Sequence, residues 1–120
     1  MNKPATLTRH GVVWLDHHQA DIWQLDAGPA RSQQVKAHAH PTPQPGSDVR
    51  AVHEFFAEVC NALDEHDSVL VTGSRTALAD FRHYVDKHRP HTAARIADCD
   101  VVDHPTENQL TALGRKFFEL

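Results

Sequence analysis

Two runs of consecutive apolar residues constrain the fold of this chain more than any other feature. The first is Val12-Val13-Trp14-Leu15, and the second is Val69-Leu70-Val71. A strand with one wet face alternates apolar and polar residues, whereas an uninterrupted run predicts a strand covered on both faces. The first run therefore predicts a buried strand, and the second predicts a short apolar strand that ends at Gly73-Ser74.

Three further segments complete a set of five predicted strands. The first three strands are separated by short turns and form an antiparallel meander, in which the third strand is weaker and more polar. The predicted strands cover residues 10–16, 20–25, 31–37, 68–72 and 96–103.

Three amphipathic helices are predicted from apolar residues at helical spacing. Ser47 is a candidate cap for the first helix, the second occupies residues 75–88, and Thr106 with Gln109 forms a capping box before the third. The residues expected to face the core are Val49, Val52, Phe56, Val59, Cys60 and Leu63 in the first helix, Leu78, Phe81 and Val85 in the second, and Leu110, Leu113 and Phe117 in the third.

The order of elements, β-β-β-α-β-α-β-α, predicts one α/β domain over residues 1–120. A meander followed by two crossovers gives a mixed five-stranded sheet with helices on its faces. Residues 1–9 are expected to be a frayed N-terminus. Residues 38–47, which hold two histidines and three prolines, are expected to be a flexible loop.

Charge and composition exclude several classes of protein. The formal net charge is −4, which disfavours sequence-independent binding to duplex nucleic acid. The sequence has neither a run of about 18 apolar residues nor an apolar secretory segment, so we expect no membrane span. Cys60 and Cys99 are the only cysteines and fit a reducing cytoplasm better than a disulfide scaffold.

Several segments resemble the middle domain of the archaeo-eukaryotic peptide-release factors and of Pelota, and more closely their short bacterial relatives, the translational machinery proteins. The resemblance spans roughly residues 10–118 and implies a ribonuclease H-like fold. The matching segments are Val12-Val13-Trp14-Leu15-Asp16, Ala20-Asp21-Ile22, Phe55-Phe56-Ala57-Glu58-Val59, Val69-Leu70-Val71-Thr72-Gly73-Ser74, Ala93-Ala94-Arg95-Ile96 and Val102-Asp103-His104-Pro105-Thr106-Glu107-Asn108-Gln109-Leu110.

The loop over residues 38–47 departs from the release-factor pattern. Release factors carry a Gly-Gly-Gln tripeptide there, which promotes peptidyl-tRNA hydrolysis, and this sequence contains no Gly-Gly-Gln. Pelota also lacks the tripeptide yet acts on stalled ribosomes. The resemblance therefore implies a non-enzymatic, translation-associated accessory protein that binds the ribosome or RNA, with His38 and His40 in a candidate functional loop.

A basic segment between residues 75 and 95 is the candidate RNA-binding face. Its five Lys and Arg side chains outnumber its two acidic side chains before residue 95, Asp80 and Asp86, by three, and several histidines lie nearby. If those histidines contribute, RNA affinity should rise as the pH falls from about 7.5 to about 6. The alternative is a solvated helix face. The cations are Arg75, Arg82, Lys87, Arg89 and Arg95.

Two other functions stay open. One is a metal-dependent phosphodiesterase, in which Asp16, Glu58, Asp103 and His104 would hold the ions. Candidate ligand groups are Asp16-His17-His18, His38 with His40, and Asp103-His104. The sequence has no HExxH or zinc-finger spacing, so we expect no cofactor beyond an adventitious divalent metal. The other function is a small homodimeric interaction module without catalysis.

Histidine is abundant, with 11 residues along the chain. Such a number suggests either a metal site or a surface whose charge changes near pH 6.5. The predicted elements distribute these histidines over helices, helix ends and loops. The count by itself therefore does not indicate a single site.

Overall fold

The computed structural model describes residues 9–25, 31–37 and 47–120. The predictions for residues 1–8 and 38–46, which include His38 and His40, lie outside these described residues. Within them the chain forms β1 (His10–Leu15), β2 (Gln19–Gln24), β3 (Arg31–Lys36), α1 (Ser47–Leu63), β4 (Ser68–Gly73), α2 (Arg75–His88), α3 (Pro90–Ala93), β5 (Ile96–Val101) and α4 (Glu107–Phe118).

The five strands form one mixed sheet in the order β3-β2-β1-β4-β5. β1 pairs antiparallel with β2, and β2 pairs antiparallel with β3. On its other side β1 pairs parallel with β4, and β4 pairs parallel with β5. The predicted fold class, a five-stranded mixed sheet flanked by helices, is confirmed.

The apolar run in β1 is explained by helices on both faces of the sheet. Val13 and Leu15 belong to the larger core, which α1 and α2 cover. Val12 and Trp14 belong to a second, smaller core under α4. Because successive side chains of a strand point to opposite faces, both cores need apolar residues from β1. None of the described helices is long and apolar enough to cross a membrane.

The last strand and the helix after it differ slightly from the prediction. β5 ends at Val101 rather than at residue 103, because its partner β4 ends at Gly73. The Val102 amide still donates to the Gly73 carbonyl at 3.1 Å, and the Val102 carbonyl accepts a hydrogen bond from the Trp14 indole at 2.9 Å. The capping box before α4 is confirmed: the Gln109 amide donates to Thr106 Oγ1 at 3.2 Å, and the Thr106 amide donates to Gln109 Oε1 at 2.9 Å. The four-residue helix α3 was not predicted.

Two core residues were predicted wrongly. Phe117 is 40% exposed, and the neighbouring Phe118 packs against the smaller core and against the His10 ring instead. Val49 is 61% exposed because the first turns of α1 border an open groove rather than the sheet. Phe55, which lies beside the predicted apolar stripe of α1, is buried.

Glycine at position 73 is required by the close approach of β4 to β1. A Cβ atom on Gly73 would lie 2.3 Å from the Leu15 carbonyl oxygen. The same carbonyl accepts a hydrogen bond from the Ser74 amide at 3.2 Å, which holds the turn into α2. The tight turn from β4 into α2 therefore explains this glycine.

We expect Gly73→Ala to lower the free energy of unfolding by about 1–3 kcal/mol, because two central strands must separate locally. Gly114→Ala is the matched comparison, since its Cβ would meet the flexible Leu25 Cδ1 at 2.7 Å and also Val12 Cβ at 2.9 Å. Guanidinium unfolding followed by tryptophan fluorescence measures both. A loss for Gly73→Ala no larger than that for Gly114→Ala would contradict the backbone explanation.

Candidate functional site

A groove of about 390 Å³ lies between the outer faces of α1 and α2. Its apolar surface comes from Val49, Val52 and Phe56 of α1 and from Tyr84 of α2. Polar and ionisable groups complete the lining: His17, His53, Asp80, His83, Lys87 and His88.

Helical periodicity explains why α2 presents this set of side chains. Its buried face carries Ala77, Leu78, Phe81 and Val85, which pack on the sheet. Residues three, four and seven positions apart share a face of a helix. The groove face accordingly carries positions 80, 83, 84, 87 and 88.

Aromatic rings lie close together across the groove. The His53 ring of α1 lies 5.1 Å from the Tyr84 ring and 6.0 Å from the His88 ring, measured between centroids. Tyr84 and His88 are 5.0 Å apart, and Tyr84 also contacts the buried Phe56 at 5.7 Å. Burial raises the pKa of the Tyr84 hydroxyl above its ordinary value of 10.0. The result is a continuous aromatic surface that joins the two helices.

The turn between β1 and β2 is fixed to α2 at one end of the groove. His17 Nε2 lies 2.8 Å from Asp80 Oδ2, a hydrogen bond that becomes an ion pair when the imidazole is protonated. The Asp16 carboxylate accepts the amide hydrogens of His18 and Gln19 at 2.7 and 2.8 Å. Asp16 therefore holds the turn, and the turn positions His17.

The histidines are spread over several segments of the sequence, but the fold brings some of them together. Four of them, His17, His53, His83 and His88, line the same groove although they come from three separate segments. His83 and His88 are five residues apart in α2, a spacing that does not by itself predict a shared helix face. The approach of α1 and of the β1–β2 turn is decided by tertiary packing.

Two cations of the predicted RNA-binding face make internal contacts with the end of α1. The Arg89 guanidinium donates to the Ala57 carbonyl at 3.1 Å and to Asn61 Oδ1. Arg95 donates to the His66 carbonyl at 2.8 Å, and its Nε lies 3.6 Å from Asp64 Oδ1. The last turn of α1 has no basic residue of its own, so these arginines supply the positive charge that a helix C-terminus favours.

The other three cations of that face lie on α2. Arg82 pairs with Asp86 at 3.3 Å and donates to Cys99 Sγ at 3.9 Å. Arg75 and Lys87 are exposed, and Lys87 borders the groove. Within the predicted basic face, Arg89 and Arg95 therefore have a structural role. Arg75 and Lys87 are its exposed cations on α2.

The candidate metal ligands at positions 16–18 and those at positions 103–104, all of which the structure describes, do not come together. His104 stacks on Trp14 at 4.3 Å, beside the smaller core, whereas His17 contacts α2 on the opposite face of the sheet. Asp103 and His18 are exposed, as is Glu58 on α1. Among the described residues, no group of three or more His, Cys, Asp or Glu side chains is arranged to hold a metal ion.

Comparison with solved structures finds the same fold in Pelota and in an archaeal translation termination factor. The chain matches Archaeoglobus fulgidus Pelota with a TM-score of 0.60 and 16% identity, over 90% of this chain and 31% of Pelota. It matches Thermoplasma acidophilum Pelota with a TM-score of 0.62 and 15% identity, over 91% of this chain and 32% of that one. For the archaeal translation termination factor aRF1 the TM-score is 0.63 and the identity is 18%, over 93% of this chain and 35% of aRF1.

This chain has the Pelota and aRF1 domain fold. It spans about a third of the length of those structures, and the match confirms the middle-domain resemblance at the level of the fold. No protein-family model matches the sequence, and no curated protein matches it. Neither these comparisons nor the described residues support a homodimer.

We expect Arg89→Ala to lower the free energy of unfolding by about 1–3 kcal/mol, because it removes hydrogen bonds to the last turns of α1. Lys87→Ala, two positions earlier on the exposed face of α2, is the matched control and should change stability by less than about 0.5 kcal/mol. Guanidinium unfolding of both variants measures the difference. Equal losses would show that Arg89 has no structural role.

Burial raises the pKa of the Cys60 thiol from 9.0 to about 11. Because folding favours the protonated thiol, this contribution to stability is complete below pH 9 and is lost as the pH rises toward 11. Cys60→Ala removes the titrating group, so the stability difference between wild type and variant should shrink over that range. Unfolding curves at several alkaline pH values measure it, and a constant difference would contradict the effect.

Proposed function

We propose that this protein is a translation-associated accessory factor that binds the ribosome or ribosomal RNA and works in the cytoplasm. The observation that carries the proposal is the match of about 90% of the chain to Pelota and aRF1, both of which are translation factors. Since the chain covers only about a third of either protein, ribosome binding is our inference for this domain.

The chemistry of the surface supports binding rather than catalysis. The sequence contains no Gly-Gly-Gln, the tripeptide that the family resemblance associates with peptide release. The described residues also do not assemble the carboxylates and histidines of the phosphodiesterase hypothesis. In contrast, α2 presents exposed cations beside a groove lined with aromatic rings, and both kinds of group contact RNA in proteins.

Co-sedimentation with ribosomes tests the proposal. We expect part of the protein to migrate with ribosomal particles in a sucrose gradient of cell lysate, and the bound fraction to fall as salt rises because phosphate contacts are screened. The double variant Arg75→Glu/Lys87→Glu should reduce the bound fraction by about tenfold or more.

A charge-matched control separates a local effect from a change in net charge. Arg115→Glu/Lys116→Glu makes the same change in α4, on the opposite face of the sheet, and should leave the bound fraction near that of wild type. Absence of the wild-type protein from all ribosomal fractions at low salt would refute the proposed function. An equal loss in both double variants would show that α2 is not the binding face.

A further inference from the structure

The groove between α1 and α2 has a composition that selects among ligands. The more buried part of its lining, which we call the floor, is formed by Val52, Phe56 and Tyr84, and exposed ionisable side chains form the rim, among them His53, His83, Lys87 and His88. We propose that it holds one unstacked nucleotide of single-stranded RNA, with the base against the aromatic floor and the phosphate at the rim. This inference rests on the proposed function and names the ligand class of the same surface.

The floor offers the Tyr84 ring to a flat base, and the imidazoles of His53 and His88 lie beside it, tilted by 50° and 44° to the Tyr84 ring. His53, Tyr84 and His88 lie within 5.0 to 6.0 Å of one another, and Phe56 supports Tyr84 from below. Unpaired bases in RNA complexes stack on such tyrosine and histidine side chains. A volume of about 390 Å³ is within the range of small-molecule sites and accommodates a base with its ribose.

The rim suits an anion. Lys87 is its permanent cation, and the carboxylate of Asp80 is already hydrogen-bonded to His17 at 2.8 Å. The exposed His83 imidazole adds a hydrogen-bond donor at the rim, because a neutral imidazole carries one ring N–H. The titratable groups that face the groove from the β1–β2 turn, α1 and α2 are His17, His53, Asp80, His83, Tyr84, Lys87 and His88.

Other occupants fit less well. An apolar helix or peptide laid in the groove would bury Lys87 and the imidazoles without giving them acceptors, which is costly. A metal ion would need a group of three ligands, and the described residues contain none that is suitably arranged. A nucleotide satisfies both parts of the groove, because its base covers the floor and its phosphate accepts hydrogen bonds from the rim.

Titration of the purified protein with adenosine 5′-monophosphate tests the inference, with NMR of the imidazole and tyrosine ring protons as the readout. The signals of His53, Tyr84 and His88 should shift on titration, whereas the signals of histidines outside the groove should not. Adenosine and ribose 5-phosphate, which each lack one half of the ligand, should bind at least about fivefold more weakly.

Substitutions at exposed positions keep the fold intact. His53→Ala/Lys87→Ala should weaken binding of adenosine 5′-monophosphate, and of a fluorescent hexaadenylate, by at least about fivefold. His91→Ala/Lys116→Ala removes one histidine and one lysine away from the groove and should bind as wild type does. Circular dichroism confirms that both variants are folded.

Three results would overturn the inference. They are ring-proton shifts outside the groove, binding of ribose 5-phosphate as tight as that of adenosine 5′-monophosphate, and binding of uncharged indole as tight as that of adenosine 5′-monophosphate. The last result would indicate an apolar peptide site. Because the titration uses no ribosomes, its outcome is separate from co-sedimentation. If His53→Ala/Lys87→Ala still binds ribosomes and the wild-type protein binds no nucleotide, the groove is not a nucleotide site. The proposed function is then unaffected.

Discussion

The parallel pairing of β1 with β4 is the interaction on which the rest of the structure depends. Both strands are buried in the centre of the sheet, and each contributes side chains to the core on either face. Their backbones approach so closely at Leu15 and Gly73 that position 73 has no room for a Cβ atom. The buried Thr72 hydroxyl adds a hydrogen bond of 2.7 Å to the Val13 carbonyl. Helices on both faces pack against this pair.

At the end of α1, tertiary contacts give a structural role to residues that the sequence predicts to be functional. Arg89 and Arg95 belong to the most basic part of the chain, yet their guanidinium groups bind carbonyl oxygens in and just after α1. Thr92, which lies between them, donates to Asp64 at 2.7 Å. The short helix α3 and its flanking arginines thus secure the C-terminal end of α1, and the exposed positive charge is left on α2.

Fold and chemistry make different contributions to the functional argument. The likeness to Pelota and aRF1 establishes an architecture found in translation factors. The groove adds chemistry particular to this chain, because four histidines and Lys87 surround an aromatic floor.

The sequence by itself determined the order of the main elements, the mixed sheet and most of the core, since hydrophobic periodicity and capping residues are local signals. The sequence predicted the core least well at Val49 and Phe117, where burial depends on which element packs against the residue. Only the tertiary structure decided that His17, His53, His83 and His88 share one groove, and that Arg89 and Arg95 turn inward. The physical reason is that spacing fixes the face of an element on which a side chain lies, whereas the packing of separate elements decides which faces meet.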